Sequence, residues 1–248
     1  MRRTTAVLVA LALAVASLVG AAAPATAQAG PDPVIVVAGT FSPAFANEAL
    51  AARIRTTGAA VEVFELPSLG TGDIRTSARA LASRVAAVRA RTGAARVDLV
   101  GHSQGGLVAR AFVTYEDGAA VVDSLVTLGA PNQGTYVANL ARFLGPGNCL
   151  AVLACEQMTI GSSFLQGLNS GDVTVGSVRY TNLYTFQDEL VRPVANAAMG
   201  GGATNVLIQS QCFFRVVGHV GLIYDGTAYS GVEDALAGRP ITLRCFAL

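Results

Sequence analysis

Short, nearly uninterrupted apolar runs alternate with longer helical patterns, and this alternation constrains the chain more than any other feature. Residues 33–40 read "PVIVVAGT", apolar on both faces of a strand, and 43–57 carry helical spacing. "VEVFELP" (61–67) alternates as a strand does, and 73–91 is an Ala- and Arg-rich helix opened by Asp73. "RVDLVGH" and residues 104–116 repeat the unit. "VVDSLVTLGAP", "VRYTNLYTF" and "NVLIQSQ" supply further strands, and a last helix covers about 227–237. Strands apolar on both sides need cover on both sides, so the expected fold is α/β, a mostly parallel sheet flanked by helices. With no internal repeat or linker, residues 28–248 read as a single domain.

One segment departs from the rhythm. Residues 132–171 should hold a single crossover, yet they are long and rich in Gly, Asn and apolar residues. Tyr136, Val137, Leu140, Phe143 and Leu144 follow helical spacing within it. Long insertions in α/β units usually serve as lids or pocket walls, although a helix packed on the core satisfies the same pattern. We expect a lid or cap here.

The beginning of the chain reads as an export signal. Met1-Arg2-Arg3 is basic, Ala6 to Val19 is apolar, and Ala25-Thr26-Ala27 is a small-x-small site, predicting cleavage after Ala27. The apolar run is short for a bilayer anchor. Without residues 1–27, 15 arginines face 16 acidic residues, so the exported protein is expected to be nearly neutral. Charged residues make up 13% of the chain, which gives no electrostatic footprint for nucleic acid. There is no lysine, and that excludes Schiff-base chemistry.

Four cysteines in an exported chain predict two disulfides. Of three connectivities, the preferred one clips a short loop with Cys149–Cys155 and ties the C-terminus back with Cys212–Cys245. Two histidines and no Cys-x-x-Cys leave zinc without a ligand set, so neither metal nor cofactor is expected.

Within "VDLVGHSQGGLV" (97–108), a serine lies between a strand and a helix with Gly101 and Gly105 two residues to either side. This is the setting of a nucleophile elbow, a tight turn that lifts the serine hydroxyl above the sheet edge. No other serine here has glycines at both flanking positions. Ser103 needs a general base, because an unassisted hydroxyl is unreactive near neutrality. His102 leaves the turn in another direction and is assigned to the pocket wall, together with Asn132. His219, in "VVGHVGLIYD", remains as the base, its alternative being a structural loop histidine.

The orienting acid should fall between serine and histidine in chain order. Glu116, Asp117, Asp123, Glu156, Asp172, Asp188 and Glu189 all qualify by order. Asp123 starts a strand, at the wrong edge; Glu116 and Asp117 end a helix; Glu156 and Asp172 lie at the insertion. Asp188 and Glu189 follow a strand end, and Asp188 is preferred for its shorter reach. The Gln104 amide, next to the serine, can supply one oxyanion donor. Thr40 in "AGTF" suits a second donor and an ordinary helix cap equally.

With these motifs in place, the chain resembles serine lipases of the α/β-hydrolase fold. It is similar to the Candida antarctica lipase B type and to the actinobacterial class 2 lipases over nearly all of residues 28–248. "TNLYTFQDELVRP" resembles the segment around that family's catalytic Asp, which implies the role for Asp188. "SQGGLV" implies the nucleophile at Ser103 and an oxyanion amide at Gln104. "AGTF" implies oxyanion service by Thr40, and "GHVGLIYD" implies the base at His219. The resemblance also supports Cys212–Cys245 and places Leu190 on the pocket wall. Two departures are His102, where the lipase B type has Trp, and the lack of its long C-terminal extension.

The expectation is therefore a secreted serine carboxylic ester hydrolase, a triacylglycerol lipase working through an acyl-enzyme. Its partner is a lipid or ester substrate, at an oil–water interface where the substrate forms one. Neither nucleic acid nor an obligate protein partner is expected, and the protein is expected to be a monomer. A short-chain carboxylesterase or polyester depolymerase would share the triad. A non-catalytic binding protein on the same scaffold is the alternative of a different class.

Overall fold

The computed structural model describes residues 30–138 and 149–248. The export signal, its cleavage position, and Leu140, Phe143 and Leu144 of the expected insertion helix lie outside the described residues.

Among the described residues six strands form one sheet: β1 (Val34–Val37), β2 (Val61–Phe64), β3 (Val97–His102), β4 (Val122–Leu128), β5 (Arg179–Tyr184) and β6 (Thr204–Leu207). Their order is β2-β1-β3-β4-β5-β6, and every pairing is parallel. Among the helices, α1 (Glu48–Arg55), α2 (Ile74–Thr92) and α3 (Gln104–Tyr115) follow the first three strands. Short helices α4 (Leu153–Gln157) and α5 (Ser163–Leu168) precede β5, while α6 (Ile208–Gln211) and α7 (Gly226–Leu236) follow β6.

Alternation along the strands divides the core in two. Ile35, Val37, Leu99 and Leu125 pack with α2 and α3. Val34, Val36, Val100 and Val126 pack with α1 and α7 on the other face. Fully burying such a side chain contributes about 1.5–3 kcal/mol, so neither face is dispensable. The helix signals act locally as well: Asp73 caps α2 by accepting from the Thr76 amide at 2.9 Å.

The chain runs from β1 outward to β2 and then back past β1 to β3, so the loops after β1 and β3 diverge from a common crevice. Open α/β sheets bind ligands at such a reversal, beyond the carboxyl ends of the strands. Thr40 and Ser103 lie on those two loops.

"NVLIQSQ", expected to be all strand, leaves the sheet at Leu207, and Ile208–Gln211 is helical. The reason is its position: β6 is the sheet edge, without a further strand among the described residues to take up its backbone. Gln209 then spends its amide on the neighbouring loops, donating to Thr185 Oγ1 at 3.0 Å and to the Arg215 carbonyl at 3.0 Å. The disulfides pair as expected, Cys149–Cys155 and Cys212–Cys245. No helix among the described residues is long and apolar enough to cross a membrane.

Candidate active site

Ser103 stands between β3 and α3 with φ 54° and ψ −127°, a conformation that non-glycine residues rarely adopt. The turn is held because its neighbours allow a very close approach. A Cβ on Gly105 would lie 2.2 Å from the Val37 carbonyl oxygen, and one on Gly101 would lie 2.6 Å from the Gly106 backbone. Both glycines are thus required by space. The first amides of α3 have no carbonyl partner within the helix, and they present the positive end of its dipole beside Ser103.

His219 Nδ1 lies 2.8 Å from Asp188 Oδ2, and both side chains are buried. The other carboxylate oxygen of Asp188 accepts from the Leu190 and Val191 amides at 2.9 and 2.7 Å. Each oxygen therefore has its own donors, which fixes the carboxylate plane and with it the imidazole. Glu189, the other strand-end candidate, serves the main chain instead, where its Oε2 accepts from the His219 amide at 2.9 Å. Sequence reasoning set these two acids in competition, whereas the structure uses one for the ring and the other for the backbone. Arg215, in the loop before His219, pairs with Asp225 at the N-terminus of α7 through Nε at 2.7 Å and anchors that loop.

His102 is buried beside His219, with ring centroids 4.9 Å apart. Burial, and then the neighbouring His219, push its imidazole down to about 4, so it is neutral near pH 7. Its Nε2 is 3.0 Å from the His219 carbonyl oxygen, which identifies Nε2–H as the donor. Across the crevice, the Thr40 hydroxyl donates to Gln104 Oε1 at 2.6 Å. The loop carrying Thr40 is pinned by the Phe41 amide, which donates to the Leu69 carbonyl at 2.8 Å.

Ser103, His102, His219 and Thr40 all line one cavity of about 500 Å³. Its walls are apolar: Ala138, Val152, Met158, Val191 and Ile223 contribute, together with Leu190 and the Cys149–Cys155 bridge. The insertion thus supplies pocket wall through Val137, Ala138, Cys149, Val152, Cys155 and Met158. Asn132 is a correction, for it is absent from the cavity lining. Its amide is buried, accepting from Arg110 Nη1 at 3.1 Å and donating to the Ala197 carbonyl at 2.8 Å. Arg110, itself buried, also reaches Asn169 at 2.8 Å, so the pair ties both ends of the insertion to α3. An arginine on the buried face of α3 was the available sequence signal for that polar network.

The family model described as "Domain of unknown function (DUF7379)" matches residues 22–145, half of the chain. The chain belongs to this family. The DUF7379 match spans β1 to β4, and so includes Thr40, Ser103 and Gln104 but neither Asp188 nor His219. A curated relative, lipase B of Pseudozyma antarctica, is 28% identical over 179 residues, covering 68% of this chain. The chain spans about half of that relative's length, 51%. Among solved structures, Aspergillus fumigatus lipase B superposes with a TM-score of 0.73 at 23% identity, over 88% of this chain and 56% of that one. The mature lipase BlEst2 of Bacillus licheniformis gives 0.66 at 16% identity, over 85% and 94%. The fold of this DUF7379 protein is the α/β-hydrolase fold, and the chain is similar to lipase B, as its motifs imply.

Proposed function

We propose that this chain is a secreted serine carboxylic ester hydrolase acting on acylglycerols. The observation that carries the reading is the convergence on one apolar cavity of Ser103, in its strained turn, and His219, whose Nδ1 is held by buried Asp188. With Nδ1 turned to Asp188, His219 Nε2 takes the Ser103 proton as Oγ attacks the ester carbonyl. The oxyanion is stabilised by the amides of Gln104 and Thr40 and by the Thr40 hydroxyl. His219 then protonates the leaving alcohol, and water releases the acid by the same route.

Substrate class is argued from the cavity. Its size suits an acyl chain, since ligand pockets commonly run from about 300 to 1,000 Å³. Phe41, Val137, Leu190, Val220 and Tyr224 line it and are also 37–63% exposed, making an apolar mouth that favours contact with a lipid surface. Export is supported by the two disulfides and by the signal-like first 27 residues. We take the enzyme to act as a monomer without a protein partner.

The test is hydrolysis of p-nitrophenyl esters from acetate to palmitate, with Ser103→Ala alongside. We expect activity that persists through the long chains and falls at least ~10⁴-fold in the variant. Activity confined to the shortest esters would replace the lipase reading with that of an esterase. Activity unchanged by Ser103→Ala would overturn the reading altogether.

A further inference from the structure

We infer that the side chain of Gln104 is a positioning residue that switches the Thr40 hydroxyl between a resting partner and the oxyanion. This inference rests on Ser103 being the nucleophile and goes beyond the main-chain role of Gln104 proposed above.

Three observations carry it. The Thr40 hydroxyl donates to Gln104 Oε1 at 2.6 Å, so in this state its single hydrogen is committed to the protein. It cannot be given to a substrate oxygen at the same time. Next, Gln104 is wholly buried, and among the described residues its Nε2 has no hydrogen-bond partner. A buried amide with one end unpaired is costly, and such a group in a functional crevice calls for an explanation. Finally, the loop after β2 is shaped around this amide: a Cβ on Gly70 would lie 2.6 Å from Gln104 Oε1.

These facts fit a half-turn of the amide about its last side-chain bond. The nitrogen and oxygen are nearly equal in size, so the exchange needs no new space. After the turn Nε2 donates to Thr40 Oγ1, and the Thr40 hydrogen is released toward the substrate. The oxygen takes the place where Nε2 had no partner, so no existing hydrogen bond at that end is lost. In the resting enzyme nothing favours the turned state. A developing oxyanion does, because it accepts the freed hydrogen in a charge-assisted bond. The gain is confined to the transition state, where it raises kcat rather than tightening substrate binding.

The experiment is a double-mutant cycle on kcat and KM for a p-nitrophenyl ester, using Thr40→Val, Gln104→Met and the double variant, with Thr40→Ser and Ser103→Ala as references. Gln104→Met keeps the length of the side chain and the main-chain amide. If it fails to fold, Gln104→Asn, too short to reach Thr40, takes its place. We expect Thr40→Val to lower kcat about 10²-fold and Thr40→Ser to stay within about three-fold of wild type. Gln104→Met should lower kcat about ten-fold with KM within about two-fold, and should cost less than about two-fold once Thr40 is Val. An equal cost of Gln104→Met in both backgrounds, or a change confined to KM, would overturn the switch. Activity that survives Ser103→Ala would instead remove the reading on which it rests. The melting temperatures of the same variants report the resting bond without catalysis: additive shifts there would show that Thr40 and Gln104 are not coupled, and would also overturn the inference.

Discussion

Asp188 and Asp98 are both aspartates almost closed to solvent, 0% and 5% exposed, and they sit at opposite edges of the same sheet. At the carboxyl edge, Asp188 gives one oxygen to His219 and the other to two main-chain amides. At the amino edge, Asp98 has one oxygen without a partner among the described residues and shares its surroundings with Asp32 and Asp123. Arg96 and Arg179 approach this trio, but both pair with Asp123, at 2.8 and 2.6 Å. Burial, and then the charges of Asp123 and Asp32, push the Asp98 carboxyl up to about 8. Burial alone therefore does not decide what a carboxylate does in this fold. The supply of donors decides it: one aspartate has donors for each oxygen and holds an imidazole in place, and the other is held as a neutral acid.

The sharpest way to break this comparison is to make both residues neutral. Asp188→Asn preserves shape but offers an amide where the imidazole needs a carboxylate, so the ring loses its orientation and the support for its charge. We expect kcat to fall about 10⁴-fold with the melting temperature little changed, measured on p-nitrophenyl butyrate. Asp98→Asn should leave kcat within about two-fold of wild type. If the two substitutions have similar effects on activity, the proposed division of labour between the sheet edges is wrong.

Much of this arrangement was legible in the sequence. Strands β1, β3 and β4 are buried on both faces, and a continuous apolar run announces that. Ser103 was marked by glycines whose spacing reflects a steric need, and His219 by the scarcity of histidine. Beyond the proposed triad and the disulfides, contacts between distant segments were not legible. Nothing near Glu189 says that it accepts from a backbone amide 30 residues later. Asn132 was assigned to the pocket wall, but a buried arginine on α3 takes its amide. The helical turn at Ile208 depends on β6 being an edge strand, and edge position belongs to the assembled sheet. The Asp98 trio depends on register as well: Asp98 lies opposite Val34 in β1, which brings the stretch just before that strand, with Asp32, to the same edge.

Glu189 provides a smaller and more selective test at the carboxyl edge. Its role requires only an acceptor for the His219 amide, so Glu189→Gln should retain activity within about three-fold. Glu189→Ala should lower kcat about ten-fold, equivalent to ~1.4 kcal/mol of barrier, because the loop carrying the imidazole loses a fixed point. Equal losses in both variants would mean that the charge of Glu189 matters rather than its hydrogen bond.

The smallest effect is the most specific to the amino edge. In the folded protein Asp98 holds its proton up to about pH 8, whereas an unfolded aspartate releases it near pH ~3.9. Between these values the folded state binds more protons than the unfolded state, so stability falls as pH rises. The contribution is complete below pH ~4 and is lost once pH passes about 8. Asp98→Asn removes the titration while keeping a neutral side chain of the same shape. Its melting temperature should match wild type near pH ~4 and exceed it increasingly up to about pH 9. A gain of at least ~1 kcal/mol there corresponds to roughly 2–4 °C for a chain of this size. A difference independent of pH would mean that Asp98 is ionised in the folded protein, and that Arg96 and Arg179 serve the whole trio rather than Asp123 alone.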